Sequence, residues 1–235
     1  MSKQLIRGNM SRFFLFCSIV FLSINLIAKE PEPKNIPPKI VAQKLIGKII
    51  LDGKLDEQIW QTTPINNFTQ RQPNEGKAAT EKTHVWIAYD ESYLYFAAKL
   101  YDTNPDSIVG RLARRDNFID SDWFGIFLDP YFDKKTGFFF AVNPIGTQVD
   151  GTLFNDGWDD PSWNGVWESA TLIDEDGWNV EIKIPFSQLR FKKNDAMIWG
   201  INLRRDVYRK NEHQYFVMIP KSESGFVSRS EERRV

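Results

Sequence analysis

Short apolar stretches with a two-residue period recur through most of the chain and are separated by turn residues. In "WNVEIKI", Trp178, Val180 and Ile182 fall on one face of an extended backbone, whereas Asn179 and Glu181 fall on the other. Such a strand is expected to be half buried. Similar stretches are "HVWIAYD", "LYFAAKLYD", "WFGIFLD", "FFFAVN", "TLID" and "IWGINLRRD". Strands at intervals of about 10 to 15 residues, joined by turns, predict an all-β fold, an antiparallel β-sandwich.

Glycine and aspartate mark the reversals between these stretches. "DEDG" and "DKKTG" end in Gly177 and Gly137, so each glycine is predicted to adopt the positive φ that hairpin turns favour. "DESY" after Tyr89 predicts a third reversal. The segments "LDEQIW" and "FSQLRF" are each expected to form a short helical turn.

Residues 1–28 have the pattern of a secretory signal peptide. Lys3, Arg7 and Arg12 precede the apolar stretch "FFLFCSIVFLSINLIA", as the basic and hydrophobic regions of such peptides do. A retained membrane anchor is the alternative, although this stretch is shorter than the about 20 residues that a helix needs to cross a bilayer. The only cysteine, Cys17, lies inside it, so the mature chain would carry no thiol.

The rest of the chain is predicted to contain a linker, one domain and a tail. "KEPEPKNIPPKI" begins a proline-rich, charged linker, residues 29–45, and the sandwich domain follows in residues 46–220. Residues 221–235 form the tail. Hydrophobic residues make up 42% of the chain and aromatic residues 14%, enough for one sizeable core. A net charge of -1 provides no basic field, which argues against nucleic acid as a partner.

Four segments in combination resemble the family 9 carbohydrate-binding modules: "IILDGKLDEQIW", "THVWIAYDESYLYFAAKLYD", "DSDWFGIFLD" and "GWNVEIKIPFSQLRF". They are most similar to the version of that module at the N-terminus of bacterial outer-membrane proteins that continue into a β-barrel. The resemblance covers roughly residues 46–220. It implies a jelly-roll-like β-sandwich that holds structural calcium, grips a terminal sugar between two tryptophans and has no catalytic activity of its own.

The resemblance also implies a function and a location. Such an exported module binds an oligosaccharide or polysaccharide in the periplasm or at the outer membrane and takes part in carbohydrate catabolism, with a linked glycoside hydrolase in relatives left open. The alternative is an interaction module that packs against an outer-membrane barrel without binding sugar. "SEERRV" follows "GFVSR" where those relatives continue into further strands, so the chain is predicted to be truncated before the barrel.

The positions that contact sugar in the family carry different residues here. Phe118 and Ile119 stand where one clamping tryptophan is expected, Gly125 where a glutamate is expected and Ala141 where an arginine is expected. The second clamping tryptophan has no counterpart in the C-terminal "KSESGFVSRSEERRV". Only Asn143 matches the family's contact residue.

Three tryptophans lie in the polar stretch "NDGWDDPSWNGVWESA", residues 155–170. Asp, Gly and Pro keep such a backbone irregular and near solvent, so Trp158 and Trp163 are candidates to stack on a sugar ring. The alternative is that the loop folds back and both rings plug one end of the sandwich. Trp167 begins the next strand and is predicted to be buried. The tryptophans at strand or motif positions are predicted to be core residues: Trp60, Trp178 and Trp199.

The predicted carbohydrate site therefore combines stacking residues with polar ones. Trp158 and Trp163 provide apolar faces, and Asn143, Arg115 and Asp116 provide polar contacts that fix the orientation of sugar hydroxyls.

Two acidic groups are candidates for the oxygen ligands that calcium prefers. They are Asp116, Asp120 and Asp122, and Asp156, Asp159 and Asp160. Neither group follows the spacing of an EF-hand. The alternative is that these residues cap turns or pair with nearby arginines.

The sequence offers little support for catalysis. It contains no nucleophile elbow, P-loop or dinucleotide fingerprint. His84 and His213 lie in separate strand-like segments without the spacing of zinc ligands, so each is interpreted as a solvent-facing strand residue. Coordination of haem iron by one of them with Met197 or Met218 is a further alternative.

Overall fold

The computed structural model describes residues 40–191 and 197–227, together with the backbone of residues 231–234. These residues belong to one compact unit, Ile36–Val235. The predicted signal peptide, residues 1–28, lies outside the described residues. The described fold begins within the last part of the predicted linker, because the first two strands lie there.

The described chain consists of short strands and four 3-10 turns. The strands are β1 (Ile40–Val41), β2 (Gln43–Lys44), β3 (Thr69–Gln72), β4 (Thr83–Tyr89), β5 (Tyr93–Tyr101), β6 (Trp123–Asp129), β7 (Gly137–Val142), β8 (Gln148–Phe154), β9 (Trp158–Asp160), β10 (Glu168–Asp174), β11 (Gly177–Pro185), β12 (Ile198–Val207), β13 (Glu212–Tyr215) and β14 (Glu231–Arg234). The 3-10 turns are Gln58–Trp60, Pro105–Ser107, Phe186–Gln188 and Tyr208–Lys210. Two of these turns lie in "LDEQIW" and "FSQLRF", which confirms both predicted helical turns.

The strands form two sheets. One sheet has nine strands in the order β1, β14, β12, β6, β7, β8 and β9, with β13 pairing with β12 and β3 pairing with β13. The other has five strands in the order β10, β11, β5, β4 and β2. The long strands pair antiparallel, whereas the two-residue strands β1 and β2 pair parallel with β14 and β4. The predicted antiparallel β-sandwich is confirmed.

The core fills the space between the two sheets. In β11, Trp178, Val180 and Ile182 are fully buried on one face, as the alternation predicts. In β6 of the facing sheet, Phe124 and Ile126 are also fully buried and belong to the same hydrophobic cluster. Burial of the predicted structural tryptophans is confirmed, with exposed fractions of 2%, 5%, 0% and 2% for Trp60, Trp167, Trp178 and Trp199.

The outer face of β11 is covered, so the prediction of a half-buried strand is wrong. Glu181 is fully buried there. Its carboxylate accepts hydrogen bonds from the backbone N–H groups of Asp52 (3.0 Å) and Gly53 (2.9 Å) and from Trp60 Nε1 (3.1 Å). Asn179 Nδ2 donates to the Gly53 carbonyl at 2.9 Å. The segment "LDGKLDEQIW" thus adds a third layer over the five-stranded sheet, which the two-layer interpretation of the sequence does not include.

Gly177 and Gly137 both end turns, and at both positions a Cβ would collide with a neighbouring strand, but only Gly177 also has a positive φ. Gly177 has a φ of +147°, which confirms the prediction for "DEDG". The predicted positive φ at Gly137 is wrong, because Phe132 and Lys134 take it instead, with φ values of 52° and 59°. A Cβ at Gly137 would lie 2.3 Å from the Leu128 carbonyl oxygen, so this glycine allows the close approach of β6 and β7.

Candidate functional site

The outer face of the nine-stranded sheet carries a groove lined by aromatic side chains. Residues next to the buried core residues of β6 and β7 point to this face, because successive side chains of a strand alternate. Trp123 and Phe127 from β6 and Phe139 from β7 form its floor. The groove has a volume of about 240 Å³. The other apolar residues that line it include Phe118, Ala141, Leu153 and Phe226.

The C-terminal segment forms one wall of the groove. Phe226 stacks on Phe127, with ring centroids 4.9 Å apart and ring planes inclined by 13°. An oxygen of the Asp156 side chain accepts hydrogen bonds from the backbone N–H groups of Phe226 (2.9 Å) and Val227 (2.7 Å). Part of the predicted tail is therefore an ordered component of the groove, and Asp156 holds it in place.

Arg204, Asp206 and His213, here called the polar triad, lie at the end of the groove formed by β12 and β13. Arg204 Nε donates to Asp206 Oδ1 at 2.7 Å, and His213 Nδ1 lies 2.6 Å from the same oxygen. Burial alone would raise the pKa of Asp206, but the Arg204 charge and the hydrogen bonds from His213 and Arg204 hold it below its ordinary value. The triad therefore presents an ionised carboxylate next to a fixed guanidinium.

A second cavity of about 360 Å³ continues beyond the polar triad. Asp120, Tyr208 and Asn211 line it, and it shares Phe118 and Trp123 with the groove. Phe118 is 57% exposed, and its ring meets the ring of Trp123 edge-on at 5.0 Å. A hydrogen bond to Asp120 raises the pKa of the Tyr208 hydroxyl. The aromatic groove thus opens at its triad end into a polar extension.

The structure separates the two tryptophans that were predicted to form a stacking platform. Trp163 packs into the sandwich, with its ring 5.0 Å from Phe138 and 6.0 Å from Phe140. Trp158 is 66% exposed on the edge strand β9. Its neighbour Asp159 lines the groove, so Trp158 points to the opposite side of the sheet. The loop therefore folds back for Trp163 alone, and sugar stacking by either ring stays a prediction.

Asn143 is fully buried and its side chain bonds to the protein itself. Its Nδ2 donates to the Arg111 carbonyl at 2.6 Å, and its Oδ1 accepts from the Thr147 N–H at 2.8 Å. These bonds shape the connection between β7 and β8. Direct contact between Asn143 and a ligand stays a prediction of the resemblance.

Arg115 and Asp116 both contact Asp150, Arg115 at its buried carboxylate and Asp116 at its backbone N–H. Arg115 Nη2 forms an ion pair with Asp150 and donates to the Gly165 carbonyl at 2.7 Å. Asp116 accepts a hydrogen bond from the Asp150 N–H at 3.1 Å, and Trp167 Nε1 donates to Asp150 Oδ1 at 3.1 Å. This cluster connects the 155–170 loop to β8. A ligand-binding role for Arg115 and Asp116 stays a prediction.

Comparison with known proteins identifies the family. Residues 50–224 match the model of the carbohydrate family 9 binding domain-like family. The chain belongs to this family. It is 28% identical over 170 residues to endo-1,4-beta-xylanase A of Thermoanaerobacterium saccharolyticum, an alignment that covers 70% of this chain and 13% of the xylanase. The chain therefore corresponds to a small part of that enzyme.

Solved structures share the fold of this family 9 module. A family 9 carbohydrate-binding module from Caldicellulosiruptor kristjanssonii in complex with cellotriose superposes with a TM-score of 0.60 at 17% identity, covering 84% of this chain and 93% of that chain. A family 9 module from the same organism in complex with glucose superposes with a TM-score of 0.58 at 17% identity, covering 84% of this chain and 95% of that chain. A putative carbohydrate-binding protein from Bacteroides uniformis gives 0.63 at 11% identity, covering 83% and 98%.

The family positions that differ in this module converge on the groove. Phe118, Gly125 and Ala141, which stand where the resemblance implies tryptophan, glutamate and arginine, all line it. They lie before β6, in β6 and in β7, so the sheet brings together residues that are distant in sequence. These three differing positions therefore meet in one groove.

The polar triad is the part of the groove that sequence reasoning missed. His213 was interpreted as a solvent-facing strand residue, whereas it contacts Asp206 and lines the polar extension. The spacing of Arg204 and Asp206 on one strand could have placed both on one face. Their position beside the aromatic groove depends on the pairing of β12 with β6, which the sequence does not reveal.

Neither predicted acidic group forms a metal site within residues 40–191 and 197–227, where no group of three or more His, Cys, Asp or Glu side chains could hold a metal ion. Asp122 accepts a hydrogen bond from the Tyr208 N–H, and Asp156 and Asp116 bond to backbone groups as described above. Calcium binding stays a prediction of the resemblance. None of the helices in the same ranges is long and apolar enough to cross a membrane.

Proposed function

We propose that this chain is a non-catalytic module that binds carbohydrate in the groove on the outer face of the nine-stranded sheet. The observation that carries the proposal is the placement of aromatic side chains directly beside the polar triad, with the exposed Phe118 at the position where the resemblance implies a clamping tryptophan. Sugar rings have apolar C–H faces and polar edges, so a site needs both kinds of surface next to each other.

The two parts of the groove have separate roles in this proposal. The exposed ring of Phe118 stacks on a face of the terminal sugar ring, and Trp123 supports Phe118 through an edge-on contact. The guanidinium of Arg204 and the carboxylate of Asp206 are planar groups that hydrogen-bond to adjacent hydroxyls. Because these two groups already fix each other, little side-chain freedom is lost when a sugar binds.

The comparisons support a glucose- or xylose-based ligand. The solved Caldicellulosiruptor modules carry cellotriose and glucose, and the aligned Thermoanaerobacterium protein is a xylanase. Export by the predicted signal peptide would place the module in the periplasm or at the outer membrane, where it would serve carbohydrate catabolism. A linked catalytic domain or an outer-membrane barrel would lie outside the module itself.

Arg204→Ala is expected to weaken saccharide binding by about tenfold or more, because it removes the cation of the polar triad and its charge-assisted hydrogen bonds. The measurement is a titration of intrinsic tryptophan fluorescence in residues 30–235 with cello- and xylo-oligosaccharides, repeated in EDTA to detect a calcium requirement. Thermal unfolding of the variant checks that the fold is retained.

Trp158→Ala is the control, because this exposed ring lies on the other side of the sheet. Loss of binding in Trp158→Ala with normal binding in Arg204→Ala would place the site in the 155–170 loop, as the sequence predicts. No saturable response from the folded wild-type chain to any saccharide would contradict carbohydrate binding and favour the interaction-module alternative.

A further inference from the structure

Resting on the proposed function, we infer that the preferred ligand is a sugar that carries an aromatic group, as in an aryl glycoside or a sugar esterified by an aromatic acid. The inference depends on how polar and apolar residues are distributed along the groove. The sugar binds at the polar triad, and the aromatic group occupies the stretch between β6 and β8.

The groove is polar at its two ends and apolar between them. In the sheet order β12, β6, β7, β8 and β9, the charged lining residues are Arg204 and Asp206 on β12 and Asp159 on β9. The strands between them contribute Phe127, Phe139 and other apolar residues. Three strands with a spacing of about 4.8 Å make this middle stretch about 10 Å wide. It is therefore wider than one sugar ring.

An unsubstituted oligosaccharide does not match this middle stretch. Its second ring would bring hydroxyl groups over Phe127 and Phe139, since β6 and β7 contribute only apolar residues to this stretch and the next polar side chain, Asp159, lies at the far end beside Leu153. Burying a hydroxyl without a hydrogen-bond partner is unfavourable. An aromatic ring has no such requirement, and it gains from apolar burial and from stacking on phenylalanine rings.

The surrounding rings are arranged to receive a flat group. Phe118, which stacks on the sugar in the proposed function, lies nearly parallel to Phe139, with ring planes inclined by 21° and centroids 6.4 Å apart, so the apolar surface continues from the sugar toward Phe139. Phe226, already stacked on Phe127, extends the same apolar surface. An aromatic substituent attached to a sugar at the polar triad would therefore meet several ring faces.

Gly125 and Ala141 keep the middle of the groove open. A Cβ added at Gly125 would have its nearest neighbours at 3.8 Å in the Phe127 ring and 3.9 Å at the Arg204 Cβ, which are ordinary contact distances. A side chain at position 125 therefore begins without a clash at its Cβ, and it would project into the groove that the aromatic group is inferred to occupy. Gly125→Glu consequently adds volume and a negative charge to the groove, while its Cβ requires no change in the backbone.

The test compares phenyl and methyl β-glucopyranosides, and the matching pair of β-xylopyranosides, by isothermal titration calorimetry with residues 30–235. The phenyl glycoside is expected to bind at least about tenfold more tightly than the methyl glycoside of the same sugar, because only the phenyl group reaches the apolar stretch. Phenol alone is titrated as the control for non-specific binding of an aromatic ring.

Two variants locate the preference in the groove. Gly125→Glu and Phe139→Ala are each expected to reduce the phenyl advantage to about twofold or less, and Gly125→Glu tests the same space if Phe139→Ala fails to fold. Trp158→Ala removes an exposed aromatic ring elsewhere and is expected to keep the full advantage.

Three results would overturn the inference. Saturable binding of both glycosides with equal affinity, lost in Arg204→Ala, would leave the proposed carbohydrate function intact and refute the aromatic preference. A phenyl advantage that phenol alone reproduces, or that Trp158→Ala removes, would show that the ring binds outside the groove. No binding of either glycoside or of any oligosaccharide would refute the proposed function itself.

Discussion

Glu181→Ala is expected to lower the free energy of unfolding by about 4 kcal/mol, because it leaves two buried donors and one partly buried donor without their acceptor. These donors are the N–H groups of Asp52 and Gly53 and the indole of Trp60, all bonded to one fully buried carboxylate. Loss of a buried partner costs about 1–3 kcal/mol for each group left unpaired, and the three costs do not add fully. Urea unfolding followed by tryptophan fluorescence measures the change.

Two further variants separate the loss of the acceptor from other effects. Glu181→Gln keeps the shape and one acceptor oxygen, so its destabilisation is expected to lie between that of the wild type and that of Glu181→Ala. Glu168→Ala removes an exposed glutamate that pairs with Lys183 at 3.0 Å, and its cost is expected to stay within about 1 kcal/mol. Equal costs for Glu181→Ala and Glu168→Ala would show that the carboxylate does not hold the outer layer in place.

The same carboxylate shows which parts of the fold can be predicted from the sequence. The buried face of β11 follows from a two-residue period, which is a local property of "WNVEIKI". The burial of Glu181 depends on residues more than 120 positions away, and the alternation carries no information about them. Local patterns thus predicted the strands and the sandwich, whereas the third layer required tertiary structure.

The candidate site was harder to predict than the fold, because it is assembled across strands. Phe118, Phe139 and Phe226 come together only through the order in which β6 and β7 pair and through the return of the C-terminal segment. Trp158 was a reasonable candidate from its polar loop, but one step along β9 puts it on the opposite side from Asp159. Composition identifies residues that suit a sugar site, and strand pairing decides which of them meet.

The groove and the core use opposite faces of β6 and β7. Gly125 and Ala141 lie on the outer face of β6 and β7, whereas Phe124 and Ile126 fill the core on the inner face. Substitutions on the outer face therefore alter the chemistry of the groove while the core packing stays the same. The fold is shared with a solved module at only 17% identity, as expected if the core face is kept while the outer face changes. The ligand therefore depends on the groove residues and not on the fold.

Asp122 is expected to make the stability of the module fall by about 2 kcal/mol as the pH rises from about 4 to about 6. Burial raises the pKa of this carboxyl from 3.8 to about 6, against the opposing effects of the Tyr208 N–H and Arg205 and with support from the Asp102 charge. Because the folded-state pKa lies above the unfolded value, the unfolded chain releases its proton first as the pH rises. Ionisation in this window therefore favours the unfolded state.

The residues around Asp122 explain why its charge is poorly compensated. Its Oδ1 accepts the Tyr208 N–H at 2.8 Å, but its buried Oδ2 has no hydrogen-bond partner within the described residues. Arg205 is fully buried nearby, yet it donates to the carbonyls of Lys82 and Tyr101. Only the protonated acid avoids placing a partly unpaired charge in this interior.

The comparison of wild type with Asp122→Asn isolates this contribution from those of other carboxylates. Urea unfolding at pH 4, 5, 6 and 7 should show the variant gaining about 2 kcal/mol relative to wild type across the range, because asparagine does not ionise. Asp120→Asn, two positions earlier on an exposed side chain, is the matched control for replacing an aspartate by asparagine in this segment. A constant difference between wild type and Asp122→Asn from pH 4 to pH 7 would mean that Asp122 ionises as freely in the folded protein as in the unfolded chain. The Asp122 carboxylate would then be as well compensated by the Tyr208 N–H and the Arg205 charge in the folded protein as it is by water in the unfolded chain.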